Sequence, residues 1–207
     1  MQRISISGSC SPRSALGRAI EALRAGQVVA FPTDTLYGLA VDPRSDEAVE
    51  RLFALKGREA IAAIPLIATN LQQAAQAGRF GDQERRAAGA FWPGPLSIVV
   101  PANSAIAPAV HAGKGTVAIR VPAHPLARAL ADGFGFCLTA TSANRSGTPP
   151  CDSAGAVADA LPDVDVIIDG GPSPGGPPST IISFDDTGPV LLRAGAVPWD
   201  RVIKSLR

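Results

Sequence analysis

Lys56 and Arg58 stand two apart in the run ALKGR at 54–58, and Ser142 and Asn144 repeat that spacing in TATSANRSGTP at 139–149. In an extended segment, residues i and i+2 point to the same side. Two cations so placed would converge on one spot. Arg grips phosphate oxygens in a bidentate fork and Lys adds a compact charge, which suits a triphosphate. The same cations also suit a solvated helix end, where the dipole favours positive charge. A hydroxyl and an amide at a strand end can fix a ribose, a phosphate or a carbonyl. Gly147 and Pro149 are equally compatible with an ordinary Ser/Asn turn.

Other polar residues sit in places that ask for a reason. Arg120 interrupts the apolar run TVAIRVP. A buried Arg needs an anionic partner, either a structural carboxylate or the carboxylate of a ligand. Residues 32–38 bring Thr33, Asp34, Thr35 and the only Tyr of the chain, Tyr37, into one turn. They read either as a helix cap or as a small polar pocket for an amino acid. The Gly-rich stretch 170–176, followed by Ser179 and Thr180, could bring backbone N–H groups to an anion, or be a surface loop. Arg193 ends the last apolar run before Gly195 and is a phosphate ligand or a surface charge. Other leads fail. Lys114 lies in GKGT, but position 108 is Pro where a Walker A loop needs Gly. There is no HExxH or GxGxxG, and only two His, His111 and His124.

These residues need a scaffold. Short apolar runs at 28–31, 96–100, 116–121, 136–141, 164–168, 180–184 and 190–192 predict strands. Near-continuous apolar character predicts strands covered on both faces. Between them, Ser11-Pro12 opens a helix carrying Leu16, Ile20 and Leu23 and closed by Gly26. Ser45, Asp46 and Glu47 open a second, with Val49, Leu52 and Phe53 on its apolar face and Gly57 as its stop. Further helices are predicted over 71–77, 82–90, 125–131, 153–161 and 199–206. The alternation predicts one α/β domain with an open, twisted, mixed sheet and flanking helices.

The chain has 207 residues and a formal net charge of +1. That balance argues against broad polyanion binding, which shows as a strongly basic domain. Cys10, Cys137 and Cys151 fit no metal spacing and read as free thiols in a reducing compartment. No signal-peptide pattern and no membrane-length apolar stretch is present, so a cytoplasmic location with no membrane partner is expected.

Taken together, PTDTLYGL at 32–39, LKGR at 55–58, FWPGPLSIVV at 91–100, VAIRVPAHP at 117–125, TSANRSGTPP at 141–150, DGGPSPGGPPSTI at 169–181 and LRAG at 192–195 resemble the YrdC-like family of threonylcarbamoyl-AMP synthases, in its short form. The resemblance runs from about residue 15 to 195 and implies a single YrdC-like domain over 1–207. It implies an α/β fold with a large concave cavity, similar to dihydroxybutanone-phosphate synthase. It further implies an enzyme that joins L-threonine, bicarbonate and ATP, with Mg2+, into threonylcarbamoyl-adenylate and pyrophosphate. The product would feed a downstream threonylcarbamoyl-transferase complex that modifies tRNA, with at most weak tRNA contact by this chain. By motif match, Lys56, Arg58, Ser142 and Asn144 are the catalytic set. The same four with Thr116, Pro150 and Arg193 line the ATP site. Thr35, Tyr37, Arg120, Ala140 and Ser179 bound the threonine pocket.

One segment departs from the family. After KGR, Glu59, Ala62 and Ala63 replace a Pro, a polar residue and a second Pro, which predicts a less rigid loop and one polar substrate contact fewer. Two other readings therefore stay open: a catalytically altered paralogue, and a non-catalytic tRNA or ribosome factor that binds RNA. Carbamoyl transfer from carbamoyl phosphate would need acylphosphatase and zinc-finger regions that the sequence does not display.

Overall fold

A computed structural model describes residues 1–6, 12–57 and 63–206. The predicted Ser11 cap, Cys10, Arg58, Glu59 and Ala62 lie outside the described residues. In chain order the elements begin with β1 (Gln2–Ser5), α1 (Pro12–Arg24), β2 (Val29–Phe31), β3 (Gly38–Ala40) and α2 (Asp46–Lys56). There follow β4 (Leu66–Ile67), α3 (Leu71–Ala77), α4 (Asp82–Phe91), β5 (Leu96–Pro101), α5 (Pro108–His111) and β6 (Thr116–Arg120). The rest are α6 (Pro125–Phe134), β7 (Leu138–Thr139), β8 (Thr141–Ser142), α7 (Ala154–Ala160), β9 (Val166–Asp169), β10 (Thr180–Asp185), β11 (Gly188–Arg193) and α8 (Trp199–Ser205).

The α/β class holds, and the predicted sheet resolves into two. One has the order β1-β9-β2-β3-β8, the other β11-β10-β5-β6-β4-β7. Both are mixed: β9 runs parallel to β1 and β2, while β3 is antiparallel to β2 and β8. In the second, β10 is parallel to β5 and β4 to β6, while β5 and β6 are antiparallel. The predicted strand at 136–141 is in fact two. Leu138 and Thr139 pair with β4 in the six-stranded sheet, whereas Thr141 and Ser142 pair with β3 in the five-stranded one. Ala140 is the crossing point, and its N–H donates to the Pro65 carbonyl at 2.8 Å.

The helices follow their sequence signals. In α2, Ser45 Oγ accepts from the Ala48 N–H, Asp46 and Glu47 occupy the positive end, and Gly57 caps the other end at φ 58°. That left-handed backbone favours glycine and stops the helix at Lys56. In α1 the buried stripe is Ala15, Ala19, Ala22 and Leu23, with Leu16 and Ile20 half-buried beside it. Small residues let α1 lie close to its neighbours; a Cβ on Gly133 of α6 would fall 2.4 Å from Ile20 Cδ1. The strands β2, β5, β6 and β9 carry the aliphatic core, with Phe31, Leu96, Ile98, Ile119 and Ile167 essentially inaccessible. Among the described residues, no helix is long and apolar enough to cross a membrane. Cys137 and Cys151 are free and buried, and burial pushes the Cys137 thiol up to about 12.

A buried hydroxyl stitches the two sheets together. Thr139, wholly inaccessible, accepts from the Val41 N–H at 2.8 Å through Oγ1 and donates to the Leu39 carbonyl at 3.4 Å. Its own N–H donates to the Val41 carbonyl at 3.2 Å. Removing only the hydroxyl strands a buried N–H, which costs about 1–3 kcal/mol. Thr139→Val, nearly the same shape, is therefore expected to lower the unfolding free energy by about 2 kcal/mol in urea titration; an unchanged midpoint would mean that the stitch is not formed.

Candidate functional site

A cavity of about 440 Å³ opens between the two sheets, beside the crossing at Ala140. From the five-stranded side it receives Thr33, Thr35, Tyr37 and Ser142. From the six-stranded side it receives Ser97, Arg120, Ser179 and Arg193. An apolar stretch that includes Ala63, Pro65 and Ile67 forms a further wall, with Ala140 and Pro150. Thus Thr35, Tyr37, Arg120, Ala140, Ser142, Pro150, Ser179 and Arg193, all singled out from sequence, face one space.

Three others sit elsewhere. Thr116 opens β6 opposite Pro101 and is not part of the lining. Asn144 and Lys56 are buried behind the wall, at 7% and 4% exposure. The i, i+2 argument fails at Lys56 because this residue is the last of α2 and Gly57 is left-handed, so the segment is not extended. The ammonium instead reaches the Ser142 and Asn144 carbonyls and, at 3.4 Å, Asn144 Oδ1. Asn144 Nδ2 donates to the Arg145 and Thr148 carbonyls at 2.9 and 2.6 Å. The Ser146 N–H returns to the Lys56 carbonyl at 2.9 Å. The lysine and the Ser-x-Asn turn therefore form one hydrogen-bonded block, and its exposed corner, Ser142, is what the cavity meets.

Arg120 has a structural anion. Its Nη1 donates to Asp34 Oδ1 at 2.8 Å, with side chains only 10% and 15% exposed. Asp34 Oδ2 also accepts from the Ala123 N–H at 3.4 Å. Breaking such a pair by removing one partner costs about 3–5 kcal/mol, whereas exposed pairs are worth about 0–1. Arg3–Asp169, Arg51–Asp165 and Lys204–Asp200 are of the exposed kind. Arg193 faces the same cavity. Burial and the nearby Arg120 charge lower its pKa from the ordinary arginine value, yet a guanidinium stays charged. Its Nε and Nη2 donate to the Ser179 carbonyl at 3.1 and 2.8 Å. Two guanidinium groups and one carboxylate leave the cavity wall cationic, fit for a carboxylate or phosphate ligand.

The Gly-rich segment forms a strap over the threonine-rich turn. The Tyr37 hydroxyl donates to the Gly171 carbonyl at 2.7 Å, and burial pushes its phenol above the ordinary 10.0. The Gly175 and Ser173 N–H groups donate to the Thr35 and Asp152 carbonyls at 2.9 and 2.7 Å, and that of Gly171 to Asp169 Oδ1 at 3.1 Å. These N–H groups are taken up within the chain and hold the strap in place, so of the two readings the sequence left open they do not support the one in which they face a ligand anion. Gly195 has a different necessity: a Cβ there would lie 2.3 Å from the Pro178 carbonyl oxygen and 2.6 Å from the Thr180 nitrogen. Only glycine lets the chain after β11 press against the strap's end.

Sequence reasoning left the partner of Arg120 undecided and did not single out Ser97. Ser97 carries a readable signal: a hydroxyl alone inside LSIVV. Its Oγ is 2.9 Å from Ser179 Oγ.

A cationic cavity between two mixed sheets, walled by a Thr-Asp-Thr turn, a Ser-x-Asn block and paired arginines, defines a YrdC-type domain. The family model Sua5/YciO/YrdC, described as "Telomere recombination", matches residues 21–195, and the chain belongs to that family. A Pyrococcus abyssi relative named threonylcarbamoyl-AMP synthase is 39% identical over 184 residues, covering 88% of this chain and 54% of the relative. A Bacillus subtilis protein of the same name is 37% identical over 190 residues, covering 90% and 55%. The chain thus spans about half the length of these curated relatives. Among solved structures, P. abyssi Sua5 complexed with L-threonine superposes with a TM-score of 0.92 at 33% identity, covering 99% of this chain and 61% of that one. Escherichia coli YciO superposes with a TM-score of 0.83 at 25% identity, covering 100% and 98%.

Two outcomes test this geometry. Lys56→Met leaves the Ser142 and Asn144 carbonyls without their donor, and is expected to destabilise the fold by about 3 kcal/mol in denaturant titration; unaltered stability would make Lys56 a surface-type cation instead. Burial, aided by Arg128 and opposed by Asp34, lowers the pKa of His124 from 6.5. The folded chain then binds this proton less readily than the unfolded chain. Stability is whole above the free-histidine value and declines as pH falls below it towards the folded value. The melting temperature is expected to fall less steeply between about pH 7 and pH 5 in His124→Gln than in the parent; parallel curves would place the proton linkage elsewhere.

Proposed function

We propose that the cavity binds L-threonine and ATP and, with bicarbonate, forms L-threonylcarbamoyl-AMP with release of pyrophosphate. The observation that carries this reading is the junction of two guanidinium groups, Arg120 and Arg193, with hydroxyls from both sheets in one cavity. That a related protein's structure holds L-threonine, and that curated relatives bear the synthase name, supports it. In this reading the threonine carboxylate faces Arg120 and Ser179. Thr35 and Tyr37 bound the rest of the amino acid beside Ala140. ATP enters past Ser142, Pro150 and Arg193, with Arg58 and Thr116 assigned to it by motif match alone.

The chemistry asks for what such a cavity offers. The threonine amine condenses with bicarbonate to a carbamate and water. A carbamate oxygen then attacks the α-phosphorus, the bond to the β-phosphate oxygen breaks, and pyrophosphate leaves with its electron pair. Both reactants are anions, so repulsion and misorientation dominate the barrier. Fixed guanidinium groups offset the first, and a walled cavity the second. No protein nucleophile is needed. Lys56 and Asn144 serve by holding Ser142 at the wall. Among the described residues, no group of three or more His, Cys, Asp or Glu could hold a metal. In this reading magnesium would come with the triphosphate, whose phosphates supply most of its ligands. A single catalytic domain, a cytoplasmic location, and delivery of the labile adenylate to a threonylcarbamoyl-transferase complex acting on tRNA belong to the same proposal.

The test is pyrophosphate release by purified protein with ATP and magnesium. Release is expected only when L-threonine and bicarbonate are both present, with L-serine much less effective. A folded, ATP-binding protein without threonine-dependent release would favour the altered paralogue.

A further inference from the structure

Ser97 is 2% exposed and is the second residue of β5, between Leu96 and Ile98. A hydroxyl so placed must be hydrogen-bonded, because leaving it unpaired costs about 1–3 kcal/mol. Among the described residues its side chain has one partner, Ser179 Oγ at 2.9 Å. The register explains the meeting. In the parallel pairing of β5 with β10, Ser97 lies opposite Ile181 and Leu96 opposite Thr180, so Ser179 arrives at the strand's head. Ser179 Oγ also takes a bond from Arg193 Nη2 at 3.0 Å.

Each hydroxyl has one donor hydrogen and two acceptor positions. If Ser179 donated to Ser97, the Ser97 hydrogen, at 2% exposure, would have no acceptor among the described residues. If Ser97 donates to Ser179, no buried group is left over. Ser179 Oγ then has both acceptor positions filled, one by Arg193 and one by Ser97. Its own hydrogen is free to turn into the cavity, which it lines at half-burial.

We infer that Ser97 is a positioning residue that fixes Ser179 as a donor towards the bound amino acid, so that Ser179 and the arginines present only donors to its carboxylate. This rests on the threonine reading above. A donor-only surface accepts carboxylate oxygens, whereas a group that itself donates, such as an amide, meets it with one bond unmade. Ser97 reaches the cavity wall but acts through Ser179: it sets the direction of a proton, and Arg193 completes the arrangement.

The test is calorimetric binding of L-threonine and, separately, of ATP to the parent chain and to Ser97→Ala, Ser97→Val and Ser97→Thr. The Ala and Val variants are expected to bind L-threonine about tenfold more weakly, with Ser97→Thr and every ATP affinity within about twofold of the parent. A purely packing role would spare Val, the close shape match to Thr, so the Val–Thr contrast is the deciding readout. Threonine affinity unchanged in Ser97→Ala, parallel losses of ATP and threonine, or failure of Ser97→Thr to restore binding would each overturn the inference. The panel includes L-serine and glycine. If the parent binds one of these and not threonine, the substrate reading falls, while the same variant ratios with that amino acid still decide Ser97. If the parent binds no amino acid, both fall.

Discussion

The rest of the structure depends on one passage of backbone, where the chain leaves the six-stranded sheet at Thr139 and enters the five-stranded sheet at Thr141. A strand cannot change sheets without interrupting its ladder, and interrupted ladders expose polar groups that must find partners. Here they find Pro65 through Ala140, and Val41 and Leu39 through Thr139. The gap that opens at the crossing is the cavity. Its polarity follows: the ends of strands from both sheets converge there, bringing hydroxyls and guanidinium groups with them.

Two charges were reconciled with this interior in different ways. Arg120 is held by a carboxylate from the turn across the cavity. Lys56 donates to the carbonyl oxygens of Ser142 and Asn144 and to Asn144 Oδ1. In the first case the positive charge is shared between a structural partner and the open space. In the second it is turned inward, so that an ammonium at a helix end becomes the pin of a turn. The cationic side of the cavity is therefore made by arginines, which bring planar forks with donors to spare after their structural bonds.

Much of this was legible in the sequence, for reasons that differ by residue. The runs that became β2, β5, β6 and β9 are aliphatic because both faces are covered, so their pattern declares them. Ser45 and Gly57 bracket α2 through local backbone chemistry that needs no tertiary partner. The two-residue strands β4, β7 and β8 were not legible, because so short a strand is defined by what it pairs with. The single run read at 136–141 hid a change of sheet for the same cause. At the site, residue types were readable but directions were not: Lys56 and Arg58 looked like one pair, yet the helix carries Lys56 inward. Asp34 and Ser97 escaped because their importance lies in distant partners, Arg120 and Ser179, which only folding brings near.

The strap over the threonine-rich turn has a consequence for observation. Tyr37 is the chain's only tyrosine, and its hydroxyl is tied to the Gly171 carbonyl of the strap. One phenol thus stands at the contact between cavity wall and covering loop. Its ultraviolet absorption, sensitive to ionisation and to hydrogen bonding, is an intrinsic optical gauge of whether the strap is down. No label is required, and the two tryptophans do not ionise to confuse an alkaline titration of that signal.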